Sequence, residues 1–251
     1  MKAYSNKIAL LKNKRGCYSL DTVMGCKMAI NGGCYNACYA TNYAKRYGYD
    51  FTKTISRKFI NNKNTIINAI NNISMPFVRV GTSGEPSFDW ENTINIISEI
   101  YGEINKNIVI ITKHWERLNP KQMMEISKYN LIINTSISAL DSYDLIRKRL
   151  KIYNELKNYS RSVLRVITCD FNLDSIEGLS YDTIQNELLK NEHVIDNILR
   201  VNANNPHVVS RIIKVKKTKF LDGVVWASVH NKNTYLGNCE NCQDMCGVNL
   251  F

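Results

Sequence analysis

The chain contains few prolines and few histidines, and it has no long apolar run. Its 251 residues include four prolines and four histidines. So few histidines disfavour a zinc-dependent hydrolase, whose metal site depends on a histidine-rich ligand set. No apolar run reaches the roughly eighteen residues of a transmembrane helix. The early apolar run Ile8–Leu11 is also shorter than a signal-peptide core of about 7–15 residues, so we expect a cytoplasmic protein that spans no membrane.

Acidic residues are also scarce relative to basic ones. The chain carries 33 lysines and arginines against 22 acidic residues, which gives a net charge of +11. A basic balance favours an anionic partner such as nucleic acid. Most lysines are spread along the chain, apart from a basic stretch at residues 211–219. A possible nucleic-acid substrate therefore stands beside the simpler interpretation of a lysine-rich composition.

Cysteine, in contrast, is abundant and clustered. Eight cysteines are unlikely to form a disulfide framework in a cytoplasmic chain, and clustered spacing favours metal binding. Six of them fall in two groups, Cys26, Cys34 and Cys38 near the N-terminus and Cys239, Cys242 and Cys246 near the C-terminus. Cys17 and Cys169 stand apart from both groups.

Short apolar runs alternate with amphipathic segments along most of the chain. Continuous apolar runs without alternation are typical of parallel strands buried on both faces. We predict strands at Tyr18–Val23, Phe77–Val80, Ile108–Thr112, Leu131–Thr135, Val163–Thr168 and Ile198–Val201. The order indicates an α/β fold, a partial (β/α)6 barrel related to the TIM barrel, over residues 1–205. Residues 206–251 are predicted to form a C-terminal extension that carries the second cysteine group.

The first cysteine group follows a predicted strand with the spacing C-x7-C-x3-C. A closed zinc site requires four ligands, commonly in CxxC pairs, and no histidine lies nearby. Three soft thiolates suit a four-iron cluster that keeps one iron open. The alternative is three buried cysteines that bind nothing, because free cysteine is often buried.

A glycine-carboxylate loop, Gly84-Glu85-Pro86, follows the next predicted strand, Phe77–Val80. By itself such a tripeptide is also compatible with an exposed turn. Because it comes one strand after the cysteine loop, both loops are predicted to meet at one end of a parallel sheet.

This combination resembles the radical S-adenosylmethionine (SAM) enzymes over about residues 17–202, most of the chain. Their usual motif, C-x3-C-x2-C, is similar at its start to Gly25-Cys26 and at its end to Cys38-Tyr39, although the spacing here is wider. The resemblance implies a [4Fe-4S] cluster on Cys26, Cys34 and Cys38. It further implies that Gly84 and Glu85 receive the SAM amine. It also suggests an electron donor such as flavodoxin or ferredoxin.

Four further residues are candidates on the later strands. In the family, polar residues at the end of the fourth strand bind SAM, and Ser136 and Ser138 hold that position, although loop capping explains them equally well. Arg165 interrupts an apolar strand and needs a partner, which is the SAM carboxylate or an internal acid such as Glu85. Cys169 ends the fifth predicted strand, where it either relays a hydrogen atom or simply packs.

The second cysteine group has the spacing C-x2-C-x3-C, which is typical of a metal site. One interpretation is a second iron–sulfur cluster, which many radical SAM enzymes carry in C-terminal extensions. Another is structural zinc with Cys17 or His230 as the fourth ligand. A third is that the segment folds back and binds its metal jointly with Cys17.

The sequence therefore predicts a radical SAM enzyme that cleaves SAM reductively to methionine and a 5′-deoxyadenosyl radical, which abstracts hydrogen from a substrate. The predicted substrate is a nucleotide or nucleic acid undergoing repair or modification, or a peptide. The alternative is a non-catalytic zinc or iron–sulfur protein that binds nucleic acid. The Gly84-Glu85 loop favours the enzyme, because a binding module has no need of it.

Overall fold

The computed structural model describes residues 6–30, 33–36, 38–48, 50–52, 56–199, 207–209, 212–216, 225–228 and 238–251. These residues confirm the predicted α/β class, with a mostly parallel sheet of seven strands and helices beside it. Within the described ranges, every helix is too short or too polar to cross a lipid bilayer.

The main sheet follows the order of the chain almost without interruption. Its order is β1 (Leu11–Lys12), β2 (Tyr18–Leu20), β5 (Phe77–Val80), β6 (Asn107–Thr112), β7 (Ile132–Ile137), β8 (Arg161–Thr168) and β9 (Val194–Ile198). β1 pairs antiparallel with β2, and every later pair is parallel. Two small antiparallel pairs complete the strands, β3 (Val23–Met24) with β4 (Ser56–Arg57), and β10 (Ile212–Lys216) with β11 (Val225–Ser228).

In the described residues, six α-helices accompany these strands. They are α1 (Tyr39–Arg46), α2 (Lys63–Asn71), α3 (Trp90–Ile100), α4 (Pro120–Ile126), α5 (Tyr143–Leu156) and α6 (Ile176–Leu189). Several of these helices begin at a capping side chain. At the N-terminus of α4, the Asn119 side chain accepts from the Gln122 N–H at 2.9 Å, and Pro120 occupies the first turn. Short 3-10 helices at Cys34–Asn36 and Pro86–Asp89 lie in the two loops that the sequence singled out.

Different elements pack against the two faces of the sheet. Ile137, Leu164 and Val166 pack with Ile146 and Tyr153 of α5 on one face. Strand register and alternation place Arg79, Asn134, Arg165 and Asn197 together on the opposite face.

The C-terminal segment, residues 238–251, covers this second face. Gly247 adopts φ +95° there, and a Cβ on it would lie 2.7 Å from the Val163 side chain and 3.3 Å from that of Ile132. The Asn134 side chain donates to the Cys246 carbonyl at 3.0 Å. Cys239 is buried in the same core as the sheet. The segment that the sequence described as an extension is therefore packed into the main core.

Two predicted strands need correction. The run Tyr18–Val23 is not one strand, because β2 ends at Leu20 and β3 begins at Val23. Between them, the Asp21 carboxylate accepts a hydrogen bond from the Thr82 N–H. The predicted strand Ile198–Val201 overlaps β9 only at Ile198, because β9 begins at Val194 and ends at Ile198; residues 200 and 201 lie outside the described ranges. Apolar periodicity did not reveal β9 because two residues inside it are polar. Both have tertiary partners: Asp196 accepts from Thr168 at 2.5 Å, and Asn197 accepts from Arg165.

Candidate functional site

The cysteine loop and the carboxylate loop meet beyond the carboxyl ends of β2 and β5. Gly25 and Gly84 form a parallel bridge, and the Glu85 N–H donates to the Gly25 carbonyl at 3.4 Å. A Cβ on Gly84 would lie 1.9 Å from the Val23 carbonyl oxygen. Gly84 is thus required for this close approach, which brings Cys26, the residue after Gly25, beside Glu85.

Asp21 fixes the loop that leads to Glu85. Its buried carboxylate accepts from the Thr82 N–H at 2.7 Å and from the Ser83 N–H at 3.0 Å. Sequence reasoning missed this residue, which was included in a strand. The signal for Asp21 was an acidic residue directly after a buried apolar run, because a buried carboxylate requires hydrogen-bond donors nearby.

The Glu85 carboxylate is itself buried and strongly held. Its Oε1 accepts from the Ser87 N–H at 3.2 Å, from the Ser87 hydroxyl at 2.8 Å and from the Thr112 hydroxyl. Its Oε2 accepts from the Lys113 N–H at 3.1 Å. A carboxylate offers about four acceptor sites, two on each oxygen. Oε1 is therefore saturated, whereas Oε2 keeps capacity for one more donor.

Cys26, Cys34 and Cys38 lie half-buried in the neighbouring loop. Cys26 and Cys38 pack against the small apolar cluster of Ala29, Ala40, Ala44 and Phe51. Burial, with smaller contributions from the nearby Glu85, Cys34 and Cys38, raises the pKa of Cys26 to about 12. Burial also raises the pKa of Cys34, which the Lys113 ammonium opposes. Cys26 is thus within electrostatic reach of Glu85, Cys34 and Cys38, and burial favours the protonated thiol at Cys26 and Cys34.

A buried ionic network fastens the cysteine loop to the rest of the site. The Tyr35 hydroxyl donates to Asp141 Oδ2 at 2.9 Å, and Arg149 Nη1 pairs with the same oxygen at 2.6 Å. Lys113 donates to the Tyr35 hydroxyl and lies 3.9 Å from Asp141. Burial lowers the pKa of Lys113, and the Asp141 carboxylate opposes that shift. Tyr35 follows Cys34 directly and has φ 58°, so the network holds a strained part of the loop in place.

The sequence analysis did not predict this network, although one feature of the sequence indicates it. Arg149 lies on the buried face of α5, three residues after Ile146 and four before Tyr153, and it is fully buried. A charged residue inside an apolar helical stripe requires a buried counter-charge. The structure identifies that counter-charge as Asp141. Ser142, the next residue, is the N-cap of α5.

Cys26, Cys34 and Cys38 are the residues beside Glu85 that could hold a metal centre. In the part of the chain that the structure describes, no three histidine, cysteine or acidic side chains are grouped to hold one metal ion. A four-iron cluster is bound differently, since each cysteine ligates its own iron at the edge of a bulky core. Three neighbouring half-buried thiols, a wall of small alanines and an adjacent lysine match that arrangement.

His114 is buried, and its partners are side chains of β7 and α3. Its Nε2 lies 3.1 Å from the Thr135 hydroxyl, and its ring lies 5.7 Å from that of Trp90. Burial lowers the pKa of His114 to about 3, and the Arg149 charge contributes. The imidazole is therefore neutral near neutral pH.

This shift sets a pH dependence of stability. The unfolded histidine titrates near pH 6.5, so below that pH the unfolded chain binds a proton that the folded chain does not. The contribution of His114 is complete above about pH 6.5 and is lost as the pH falls towards 3. We expect the unfolding free energy of the wild type to fall by about 1.4 kcal/mol per pH unit relative to His114→Gln. Urea unfolding at pH 7, 6 and 5 measures this, and parallel profiles of the two proteins would contradict it.

The structure places the remaining predicted residues as follows. The Ser138 hydroxyl donates to the Ile167 carbonyl at 2.8 Å, and its N–H donates to Asp141, so it shapes the loop after β7. Ser136 is buried and pairs in register with Arg165. Cys169 packs with Ala139 and Phe171, and burial raises its pKa to about 12. Its surroundings are those of a core cysteine, and its role in hydrogen transfer stays a prediction.

Arg165 lies with the C-terminal cysteines. It donates to Asn197 and to Cys246, and it lines a cavity of about 30 Å³ together with Cys239 and Cys242. Glu85, which the sequence suggested as a partner, is not among these contacts. Burial lowers the pKa of Arg165, and the neighbouring Cys246 opposes that shift.

Several predictions fall outside the described residues. His230 belongs to this group, as do Arg211, Lys217 and Lys219 of the basic stretch. Within that stretch, residues 212–216 are described as β10.

Comparisons of the chain with protein-family models, with curated proteins and with solved structures gave no match. The functional assignment therefore depends on the residues and geometry described above.

Proposed function

We propose that this protein is a radical SAM enzyme. The observation that supports the proposal best is the contact between two loops at the carboxyl edge of a parallel sheet. The loop of Cys26 and the loop of Glu85 are joined there by the Gly25–Gly84 bridge. Ligands of open α/β sheets bind at this edge, so a thiolate-bound cluster and an amine-binding carboxylate can serve one ligand.

The sheet order is compatible with a partial (β/α)6 barrel. β2 and β5 to β9 supply six parallel strands, each paired with the next in the chain apart from the small β3–β4 insertion. In such a barrel the active site lies at the carboxyl ends of the strands, where the loops after β2, β5, β6 and β7 meet here.

The chain's own residues have separate tasks in this proposal. Cys26, Cys34 and Cys38 hold a [4Fe-4S] cluster, and Glu85 Oε2 accepts a hydrogen bond from the SAM amine. When bound, the reduced cluster supplies the electron that splits SAM into methionine and a 5′-deoxyadenosyl radical, which removes hydrogen from the substrate. Lys113 offsets thiolate charge at Cys34, and Tyr35 and Asp141 keep the loop in position.

Partners and substrate are also proposals. Reduction of the cluster needs an electron donor such as flavodoxin or ferredoxin in the cytoplasm. The net charge of +11 favours a nucleotide or nucleic-acid substrate, with a peptide as the second choice. A non-catalytic metal protein that binds nucleic acid is the competing function. The buried carboxylate loop against the cysteines disfavours it, because simple metal binding does not require Glu85.

The test is anaerobic purification and reconstitution of the wild type and of a triple variant, Cys26→Ala, Cys34→Ala and Cys38→Ala. We expect the variant to lose about four irons per chain and the ability to release 5′-deoxyadenosine from SAM with dithionite as reductant. Changing Cys169→Ala serves as the control for iron content, because Cys169 belongs to neither cysteine group.

Two outcomes contradict the proposal. One is zinc without iron in the anaerobic wild type, which favours the metal-binding protein. The other is an unchanged iron content in a folded triple variant, because the cluster must then be bound elsewhere. Far-ultraviolet circular dichroism of each variant verifies that it is folded.

A further inference from the structure

We propose that Cys17 is the fourth ligand of a closed iron–sulfur site formed with Cys239, Cys242 and Cys246. This inference does not depend on the proposed function, since it concerns a different part of the molecule. The site joins the start of β2 to the C-terminal segment on the sheet face opposite α5.

The first support is the convergence of four thiols from distant parts of the chain. Cys17 is fully buried and donates a hydrogen bond to the sulfur of Cys239, and both interact electrostatically with their neighbours. Cys246 packs against the core that holds Cys17 and Cys239, and Cys239, Cys242 and Cys246 line one cavity. The Cys239 N–H also donates to the Arg15 carbonyl at 2.8 Å, which ties the C-terminal turn to the residues before β2.

The second support is the charge around the thiols. Arg15, Arg79 and Arg165 line the cavity together with Cys239, Cys242 and Cys246. Arg79 also lies 3.9 Å from the Cys17 sulfur, and Arg165 donates to Cys246. Two aspartates, Asp196 and Asp244, face the same cavity. Three arginines against two aspartates place an excess of cationic side chains around the sulfurs. Four thiolates on a cluster reverse that excess, because a four-thiolate iron–sulfur centre is anionic.

The third support is the backbone of the C-terminal turn. Met245, Cys246 and Gly247 have φ of 46°, 55° and 95°, so two residues other than glycine adopt the left-handed conformation in succession. Such strain persists only where the surroundings fix the backbone, and it is concentrated at binding sites. Here it turns the Cys246 side chain towards Arg165 while Gly247 packs on Val163.

The arrangement favours a cluster over zinc. A zinc ion needs its four ligands about 2.3 Å from one atom. In the residues that the structure describes, these cysteines are not grouped around one such point. With four protein ligands the site has no open position for SAM, so it serves electron transfer or holds the C-terminal segment. On binding, each of the four cysteines would ligate iron as a thiolate, and any proton still on its sulfur would be released to solvent.

The experiment uses the triple variant of Cys26, Cys34 and Cys38, which removes the first cluster, and adds either Cys17→Ala or Cys169→Ala. After anaerobic reconstitution with Fe²⁺ and sulfide, iron, sulfide and zinc are counted per chain. We expect about four irons in the triple variant and with Cys169→Ala, and about none with Cys17→Ala. Both added changes truncate a buried cysteine, so they are matched for packing.

A second readout does not depend on iron counting. We expect amide hydrogen exchange of residues 238–251 to become faster in the Cys17→Ala protein and in metal-free protein, and to stay slow with Cys169→Ala. Full iron retention after Cys17→Ala overturns Cys17 as a ligand. Zinc in place of iron overturns the cluster, and no metal in the triple variant overturns the site. Should the triple variant not fold, Cys17→Ala in the otherwise unchanged chain is expected to lose about four irons.

Discussion

Replacing Arg149 with methionine is expected to destabilise the protein by about 3–5 kcal/mol. The guanidinium is fully buried, pairs with Asp141 at 2.6 Å, donates to the Lys113 carbonyl at 2.7 Å and lies 4.7 Å from the Trp115 ring. Methionine preserves most of the packing but leaves the buried Asp141 carboxylate without its closest counter-charge. Urea unfolding of the metal-free wild type and variant measures the difference.

The controls separate charge from packing. Arg147 lies on the same helix but is exposed, so Arg147→Met is expected to change the unfolding free energy by no more than about 0.5 kcal/mol. Adding Asp141→Asn to Arg149→Met removes the orphaned charge and is expected to recover part of the loss. A cost below about 1 kcal/mol for Arg149→Met, or no recovery in the double variant, would show that the ion pair is not what holds this region together.

Because Tyr35 of the cysteine loop donates to the same carboxylate, the consequence extends to the proposed metal centre. Loss of Arg149 leaves Asp141 to be satisfied by Tyr35, Lys113 and the Ser138 N–H. We therefore expect the folded fraction of Arg149→Met to retain less iron after reconstitution than Arg147→Met.

Replacing Glu85 with glutamine is expected to weaken SAM binding by about 10- to 100-fold. A hydrogen bond to a charged partner contributes about 1.5–3 kcal/mol, and each 1.4 kcal/mol corresponds to tenfold in affinity. Glutamine keeps the length of the side chain but removes the charge that the SAM amine is proposed to meet. Its amide NH2 also faces donors that now bind the carboxylate, including Thr112 and the Lys113 N–H. Anaerobic calorimetric titration of SAM into reconstituted protein measures the affinity.

The matched control is Glu91→Gln, on an exposed carboxylate of α3 that pairs with Arg57. It is expected to bind SAM as the wild type does. Unchanged affinity in a folded, cluster-loaded Glu85→Gln protein contradicts the role of Glu85 while leaving the enzyme proposal in place. A reconstituted wild type that does not bind SAM contradicts the enzyme proposal itself.

The sequence was sufficient to predict the α/β class and most of the parallel strands. Buried strands such as Phe77–Val80 and Ile132–Ile137 are marked by continuous apolar runs, which depend little on the rest of the fold. Because parallel strands end at a common edge, the sequence also predicted that the residues around Cys26 and Glu85 would be near one another, as the Gly25–Gly84 bridge places them. It could not find β9, because Asp196 and Asn197 interrupt the apolar pattern and are satisfied by side chains from β8.

Tertiary structure alone decided which polar groups are partners. Arg165 and Arg149 both appear in the sequence as charges in apolar segments, and nothing local shows that one meets Cys246 and the other Asp141. The same is true of Asp21, which accepts from a loop about sixty residues further along the chain. Periodicity and local motifs report which residues are buried, because burial follows from the repeat of a helix or strand. Partners across the fold depend on strand order and on the path of the C-terminal segment, which packing of the whole chain determines.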